Sequence, residues 1–219
     1  MTNAEHIGTV DSGRMSEEEL KALVAYIKGT GVGSNTILDQ RSTDILEVAE
    51  ILNRIFPERV WDDGVVQTAE RWLRAMEEFS PSEEEPFKFT TFEAKVNQLI
   101  VVKDIQFSSL CAHHLFPYAG VCHVGYIPNE LQVGLSKIPR LVHWLSEKPS
   151  VQENLTNEIA SYLKHKLRAH GVAVVIEATH TCMACRGVKE RSASMRTSEM
   201  RGVFLTAPAA RQEFMEMIK

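Results

Sequence analysis

Two clusters of soft metal ligands set the tightest condition on what this chain can fold into: Cys111-Ala112-His113-His114, answered by His180-Thr181-Cys182-Met183-Ala184-Cys185. Thiolate sulfur and imidazole nitrogen are preferred ligands of Zn²⁺, and a Cys-x-x-His spacing lets one tight turn offer both to a single ion. Cys182 follows Val172 to Ala178, an apolar run that reads as a buried strand, so it supplies a third ligand from a strand end. Three protein ligands leave a fourth position for water, whose pKa zinc lowers to about 7, the arrangement of a hydrolase. The same residues also permit a closed structural cage of Cys111, His114, Cys182 and Cys185. His113 and His180 weigh against the cage, because proton transfer uses histidines beside the ligands and a closed cage does not. The chain has four cysteines. With no secretion signal ahead of them, they point to metal binding or catalysis rather than to a disulfide framework.

Around these clusters the periodicities divide the chain. Residues 1–15 are polar and read as a flexible N-terminus. Ser16 and Glu19 form a capping box for a helix carrying Leu20, Leu23, Val24 and Ile27 as far as Gly29. Further helices are expected from Thr43 to Phe56, with Ile45, Ala49, Leu52 and Phe56 on one stripe, and from Gly64 to Phe79, with Trp72, Leu73, Met76 and Phe79 on another. Residues 16–80 thus form an N-terminal helical region. Ser80 to Pro86 is rich in Pro, Ser and Glu, and past it the texture turns to β-branched alternation, so residues 81–219 are read as a second domain. Its strand candidates are Phe89 to Phe92 with Lys95 to Ile105, Gly120 to Ile127, Gln132 to Gly134 and Val172 to Ala178. Two helical stripes lie between them, Ile138-Leu141-Val142-Leu145 and Leu155-Ile159-Leu163-Leu167, and a short helix is expected from Pro208 to Ile218. This is an α+β pattern. Cys122 and His123 fall in a strand and are read as packing residues.

The formal net charge of −5 excludes a basic footprint of the kind that displaces counterions from nucleic acid. No apolar run reaches the roughly 20 residues that span a bilayer, and the first residues lack the pattern of a signal peptide, so no membrane partner is expected and the expected address is cytoplasmic.

Two more places carry chemistry. In Gly134-Leu135-Ser136-Lys137-Ile138-Pro139-Arg140 a strand gives way to a helix whose free N–H groups, with Ser136, Lys137 and Arg140, make an anion site. Arg186 adds a cation from the second cluster. Glu153 opens the next helix, where a first-turn carboxylate is favoured by the helix dipole alone.

Taken together, Cys-Ala-His-His-Leu (111–115), His-Val-Gly-Tyr-Ile-Pro (123–128), Gly-Leu-Ser-Lys (134–137), Val-Gln-Glu (151–153), Glu-Ala-Thr-His-Thr-Cys-Met (177–183) and Arg-Gly-Val (186–188) resemble GTP cyclohydrolase I in order and spacing. The resemblance implies a tunnelling fold, a four-stranded antiparallel sheet with two helices on one face, following the N-terminal helical region. It also implies a homo-oligomeric ring, a decamer in the family, with active sites at subunit junctions. The ligands it implies for Zn²⁺ are Cys111, His114 and Cys182, with Cys185 outside the set. His113 and His180 become the acid/base pair, with Ser136 beside them in catalysis. Gln152 and Glu153 become readers of the guanine edge, and Ser136, Lys137, Arg140 and Arg186 become triphosphate contacts. Thr68-Ala69-Glu70-Arg71 resembles the family's Thr-Pro-x-Arg segment, which gives Arg71 and Arg74 the triphosphate of a neighbouring subunit. The reaction implied is hydrolysis of GTP at C8 with His180 as proton donor, release of C8 as formate, and rearrangement and closure to 7,8-dihydroneopterin triphosphate.

Three departures mark a divergent member: Ala112 stands where the family has Glu, Asn154 where it has Arg, and Ala69 where it has Pro. The alternatives are a member that stops at the ring-opened formamide or takes another purine nucleotide, and a catalytically silent nucleotide-binding ring.

Overall fold

The computed structural model describes residues 40–56, 64–80 and 84–219. The expected helix from Ser16 to Gly29 lies outside the described residues. The chain divides into two compact units, Met1–Glu78 and Phe79–Lys219.

In the first unit, α1 (Gln40–Ile55) and α2 (Val65–Glu77) pack through buried Ile45, Ala49, Val66 and Ala69. Arg41 ties the pair together by bonding Glu77 at the far end of α2. The expected α2 stripe is displaced: Leu73 joins the buried face, whereas Trp72 is 44% exposed. Val66, Ala69 and Leu73 recur at helical spacing, and Trp72 sits about 100° round from Leu73.

The second unit is built on a four-stranded antiparallel sheet in the order β2-β3-β5-β6, from β2 (Ile100–Leu110), β3 (Pro117–Ile127), β5 (Gly171–His180) and β6 (Met195–Gly202). A two-stranded sheet pairs β1 (Thr91–Glu93) with β4 (Leu131–Val133). Between β4 and β5 the chain forms α3 (Lys137–Ser146) and α4 (Gln152–Leu167), both on one face of the larger sheet. This is the α+β architecture expected above.

Alternation in the strands builds two cores. Cys122, Val124 and Tyr126 of β3 and Val172, Val174, Ile176 and Ala178 of β5 point towards Ile138, Leu141, Leu155, Ile159 and Leu163. Their neighbours Ala173 and Val175 face the other way, onto Phe204 and Phe214. Phe204 lies in the short α6 (Val203–Thr206) and Phe214 in α7 (Pro208–Met217), a helix begun by Pro208, whose missing N–H costs nothing there.

β3 and β5 approach so closely at Gly120 that a Cβ there would stand 1.9 Å from the Glu177 carbonyl oxygen. In β2 the register shifts between Val102 and Ile105, and Asp104 takes a positive φ of 59°. This bulge lets the Asp104 N–H reach out and donate to His123 Nδ1 at 3.1 Å.

The largest departures from the expected strands concern β2, β3 and β6. β2 starts at Ile100 and runs on to Leu110, β3 begins three residues early at Pro117, and β6 was not foreseen from its polar sequence.

Candidate functional site

The turn that carries the first cluster follows directly from β2. The Cys111 carbonyl accepts from the His114 N–H at 3.1 Å and from the Leu115 N–H at 2.8 Å, which folds residues 111–115 into a tight loop. Leu115 takes a φ of 54° to close it. The loop is pinned on both sides, by Cys111 N–H to the Phe116 carbonyl and by Ala112 N–H to the Ser150 carbonyl. Cys111 is buried, and Ala112, His113 and His114 are exposed.

The second cluster meets it because β3 and β5 are antiparallel and in register, with Tyr118 opposite His180. Immediately past His180 the chain enters the short helix α5 (Thr181–Ala184), whose Thr181 hydroxyl donates to the Pro117 carbonyl at 2.6 Å. Cys182 is thereby set beside the first turn. One ligand atom each from Cys111, His114 and Cys182 lies within 4.8 Å of the others, and Cys111 Sγ is 3.9 Å from His114 Nδ1. With Zn–S near 2.3 Å and Zn–N near 2.0 Å, a tetrahedral ion holds its donors roughly 3.5–3.8 Å apart, so this set fits zinc with a contraction of a few tenths of an ångström or more. Cys185 is not among these three; its thiol is exposed and donates to the Thr181 carbonyl at 2.8 Å. Burial, then the neighbouring Cys111 thiol, push the Cys182 thiol up, a resistance to ionisation that a bound cation reverses.

His180 closes β5 half-buried. Its ring stacks on Tyr118, with centroids 4.4 Å apart and planes 4° from parallel, and its Nε2 lies 2.9 Å from Gln152 Oε1. Burial lowers its pKa, and the nearby Glu153 carboxylate opposes that shift. Gln152 and Glu153 open α4, the first fully buried and the second exposed beside it. Arg186 lies just beyond α5, exposed, where its charge favours the Cys182 thiolate.

Three of the second unit's candidates lie away from the metal turn. The α3 helix runs alongside β2 in the same direction, as shown by His143 bonding the Gln106 carbonyl and Lys148, past the helix end, accepting from Ser109. Its last residues therefore approach the metal turn, and its first residues lie near the start of β2, about 15 Å away at 1.5 Å per residue. Ser136, Lys137 and Arg140 are at that far end, with Ser136 and Arg140 exposed. Arg71 and Arg74 belong to α2 of the other unit, where Arg74 lies 3.7 Å from Glu70.

A family model for GTP cyclohydrolase I matches residues 46–219, which takes in every one of these side chains. The chain belongs to the GTP cyclohydrolase I family. A relative from Sulfurihydrogenibium sp. named GTP cyclohydrolase 1 is 44% identical over 171 residues, covering 75% of this chain and 90% of its own. Another of that name from Aquifex aeolicus is 42% identical over 170 residues, covering 76% and 92%. The solved structure of the archaeosine synthase QueF-Like in the apo form overlaps 48% of this chain and 93% of its own, at a TM-score of 0.40 and 14% identity.

For a GTP cyclohydrolase I family member, the sequence reading overlooked Tyr118. It reads as an ordinary strand aromatic until the β3–β5 register places it on His180. Thr156 and Thr197, which hold Gln152, were missed for the same reason.

Proposed function

We propose that this chain is a zinc-dependent GTP cyclohydrolase that opens the imidazole ring of guanine in GTP, releases C8 as formate and forms 7,8-dihydroneopterin triphosphate. The observation that carries the reading is the meeting of Cys111, His114 and Cys182 beside His180 and Glu153, two clusters far apart in sequence brought to one end of one sheet.

Cys111, His114 and Cys182 would hold the ion. When bound, zinc supplies a water acidic enough to attack at neutral pH. The residues of the chain do the rest. His180, with its ring fixed on Tyr118, holds the proton that the opening ring requires, and His113, exposed on the metal turn, is the second acid/base group. The Glu153 carboxylate accepts from N1–H and the 2-amino group of guanine, a pattern no other purine edge offers in full. Arg186 meets the triphosphate from the same chain.

Ser136, Lys137 and Arg140 act on the triphosphate from a second copy, since α3 carries them away from their own metal turn. Arg71 and Arg74 are further triphosphate contacts from the N-terminal unit. A shared site needs a closed assembly. Two features support a ring, the decamer of the family: β2 and β6 each have one strand neighbour in the sheet, and both edges are long enough to pair with another copy. No helix among the described residues is long and apolar enough to cross a membrane, and the reading is of a cytoplasmic enzyme.

The test is to incubate zinc-loaded protein with GTP and measure formate together with the pterin fluorescence that appears after oxidation. Equal amounts of both, lost in His180→Ala, are expected. Formate without pterin points to a chain that stops at ring opening, and neither product from zinc-replete protein overturns the reading.

A further inference from the structure

The side chain of Gln152 is fully buried, its amide hydrogens are committed within the protein, and its oxygen faces His180. Its Nε2 lies 3.1 Å from the Ile176 carbonyl oxygen, 3.1 Å from the Met195 carbonyl oxygen and 3.0 Å from Thr197 Oγ1. Backbone carbonyls only accept, so the end of the amide that faces two of them is the NH₂ end. Turning the amide over would press its oxygen against two carbonyl oxygens, with no hydrogen between them to share.

The hydroxyls agree with this polarity. Thr156 Oγ1 donates to the Gln152 main-chain carbonyl at 2.7 Å, which leaves Thr197 Oγ1 to donate to Thr156 at 2.7 Å and to accept from Gln152. The orientation of the amide is therefore set by the Ile176 and Met195 carbonyls, which can only accept.

One consequence reaches His180. The Gln152 Oε1 that faces His180 Nε2 at 2.9 Å is an acceptor, so Nε2 is the donor and carries hydrogen. Stacking on Tyr118 fixes the plane of the ring in which that bond lies.

We infer that Gln152 is a positioning residue rather than a guanine contact: it holds His180 with hydrogen on Nε2 and leaves Nδ1 as the nitrogen that takes a proton from the attacking water and passes it to the opening ring. Thr197 and Thr156 secure Gln152, so these three side chains take part in the reaction without touching the nucleotide. This rests on the cyclohydrolase reading above for the substrate, but the placement of the hydrogen does not.

Two measurements test it. In protein carrying ¹⁵N-histidine, solid-state ¹⁵N spectra report each ring nitrogen, and the His180 signals are those absent from His180→Asn. The expected result is a protonated Nε2 and an unprotonated Nδ1; the reverse tautomer overturns the inference, whatever the protein does with GTP. The second measurement is steady-state turnover of Gln152→Met, which keeps the length of the side chain and removes the acceptor. With folding and zinc content retained, kcat for GTP is expected to fall by about 100-fold, the lower end of a general acid's contribution. KM for GTP, and the preference for GTP over inosine triphosphate, stay within about 2-fold. A rise in KM with loss of that preference means that Gln152 reads the base, and overturns the inference. Where Gln152→Met does not fold, Thr197→Val gives the same split between kcat and KM in smaller measure. Absence of turnover in the unsubstituted protein counts against the proposed function and leaves the tautomer decided by the spectra.

Discussion

At the scale of single residues, the metal reading separates four cysteines that look alike in sequence. Cys111→Ser, His114→Ala and Cys182→Ser each remove a donor from the cluster, and each is expected to lower bound zinc well below one per chain and to abolish formate release. Cys185→Ser is expected to keep stoichiometric zinc, because that thiol is turned to the Thr181 carbonyl. Zinc analysis by mass spectrometry of the metal distinguishes the two sets, and a requirement for Cys185 would restore the closed cage. His123 offers a separate pH test. Burial depresses its pKa, with Asp104 and Glu177 pulling it up and Lys103 and Arg196 pulling it down. The unfolded chain therefore binds the His123 proton more readily. Stability is full above the ordinary imidazole pKa of about 6.5, declines as pH falls through it, and levels off below the folded value. Urea midpoints measured between about pH 7.5 and 5 should show this decline, and His123→Gln should remove its share.

At the scale of elements, the second unit depends on close approaches that side chains would block. A Cβ at Gly120 stands 1.9 Å from a backbone oxygen that cannot move without parting β3 from β5. Gly120→Ala is expected to cost about 1–3 kcal/mol, or to prevent folding, as overpacking does. Phe214 fixes α7 on the sheet while fully buried, and Phe214→Ala is expected to cost about 3–5 kcal/mol. Denaturation by urea measures both. These elements also show what the sequence discloses. The ligand clusters, the α3 and α4 stripes and the β3 and β5 runs are legible because soft ligands and apolar periodicity are local signals. Strand β6 is not: Thr197 and Arg201 are polar on the face that packs against α4, since Thr197 serves Gln152 and Arg201 bonds Asn157. The Trp72 stripe misleads for the opposite reason. A large aromatic at helical spacing looks like core, yet α2 buries the small Ala69 instead. Nor is the role of Gln152 readable from Val-Gln-Glu, because its partners depend on the β5–β6 register, which places Ile176 against Thr197.

At the scale of the whole molecule, α3 separates the two halves of the chemistry within one chain, and the proposed site draws each half from a different copy. Lys137→Ala and His180→Ala are each expected to be inactive alone. Co-expressed at equal levels and assembled at random, they leave about a quarter of sites with neither substitution, so activity returns to roughly that fraction of the unsubstituted protein. Complementation is read from formate release by the co-purified assembly against the two single variants, and its absence would mean that each chain completes its own site. Ultracentrifugation gives the assembly size expected of a ring.

The hold on His180 has a further consequence for motion. Gln152 is anchored through Met195 and Thr197, both on β6, and β6 is an outer strand of the sheet. Outer strands are where a sheet frays first, on timescales that amide hydrogen exchange records. Each opening of β6 leaves the amide of Gln152 held by Ile176 alone and loosens with it the ring of His180. Neighbouring copies that pair with β6 would slow that exchange, so assembly would sharpen the proton donor as well as complete the nucleotide site, and the two effects would rise together with protein concentration.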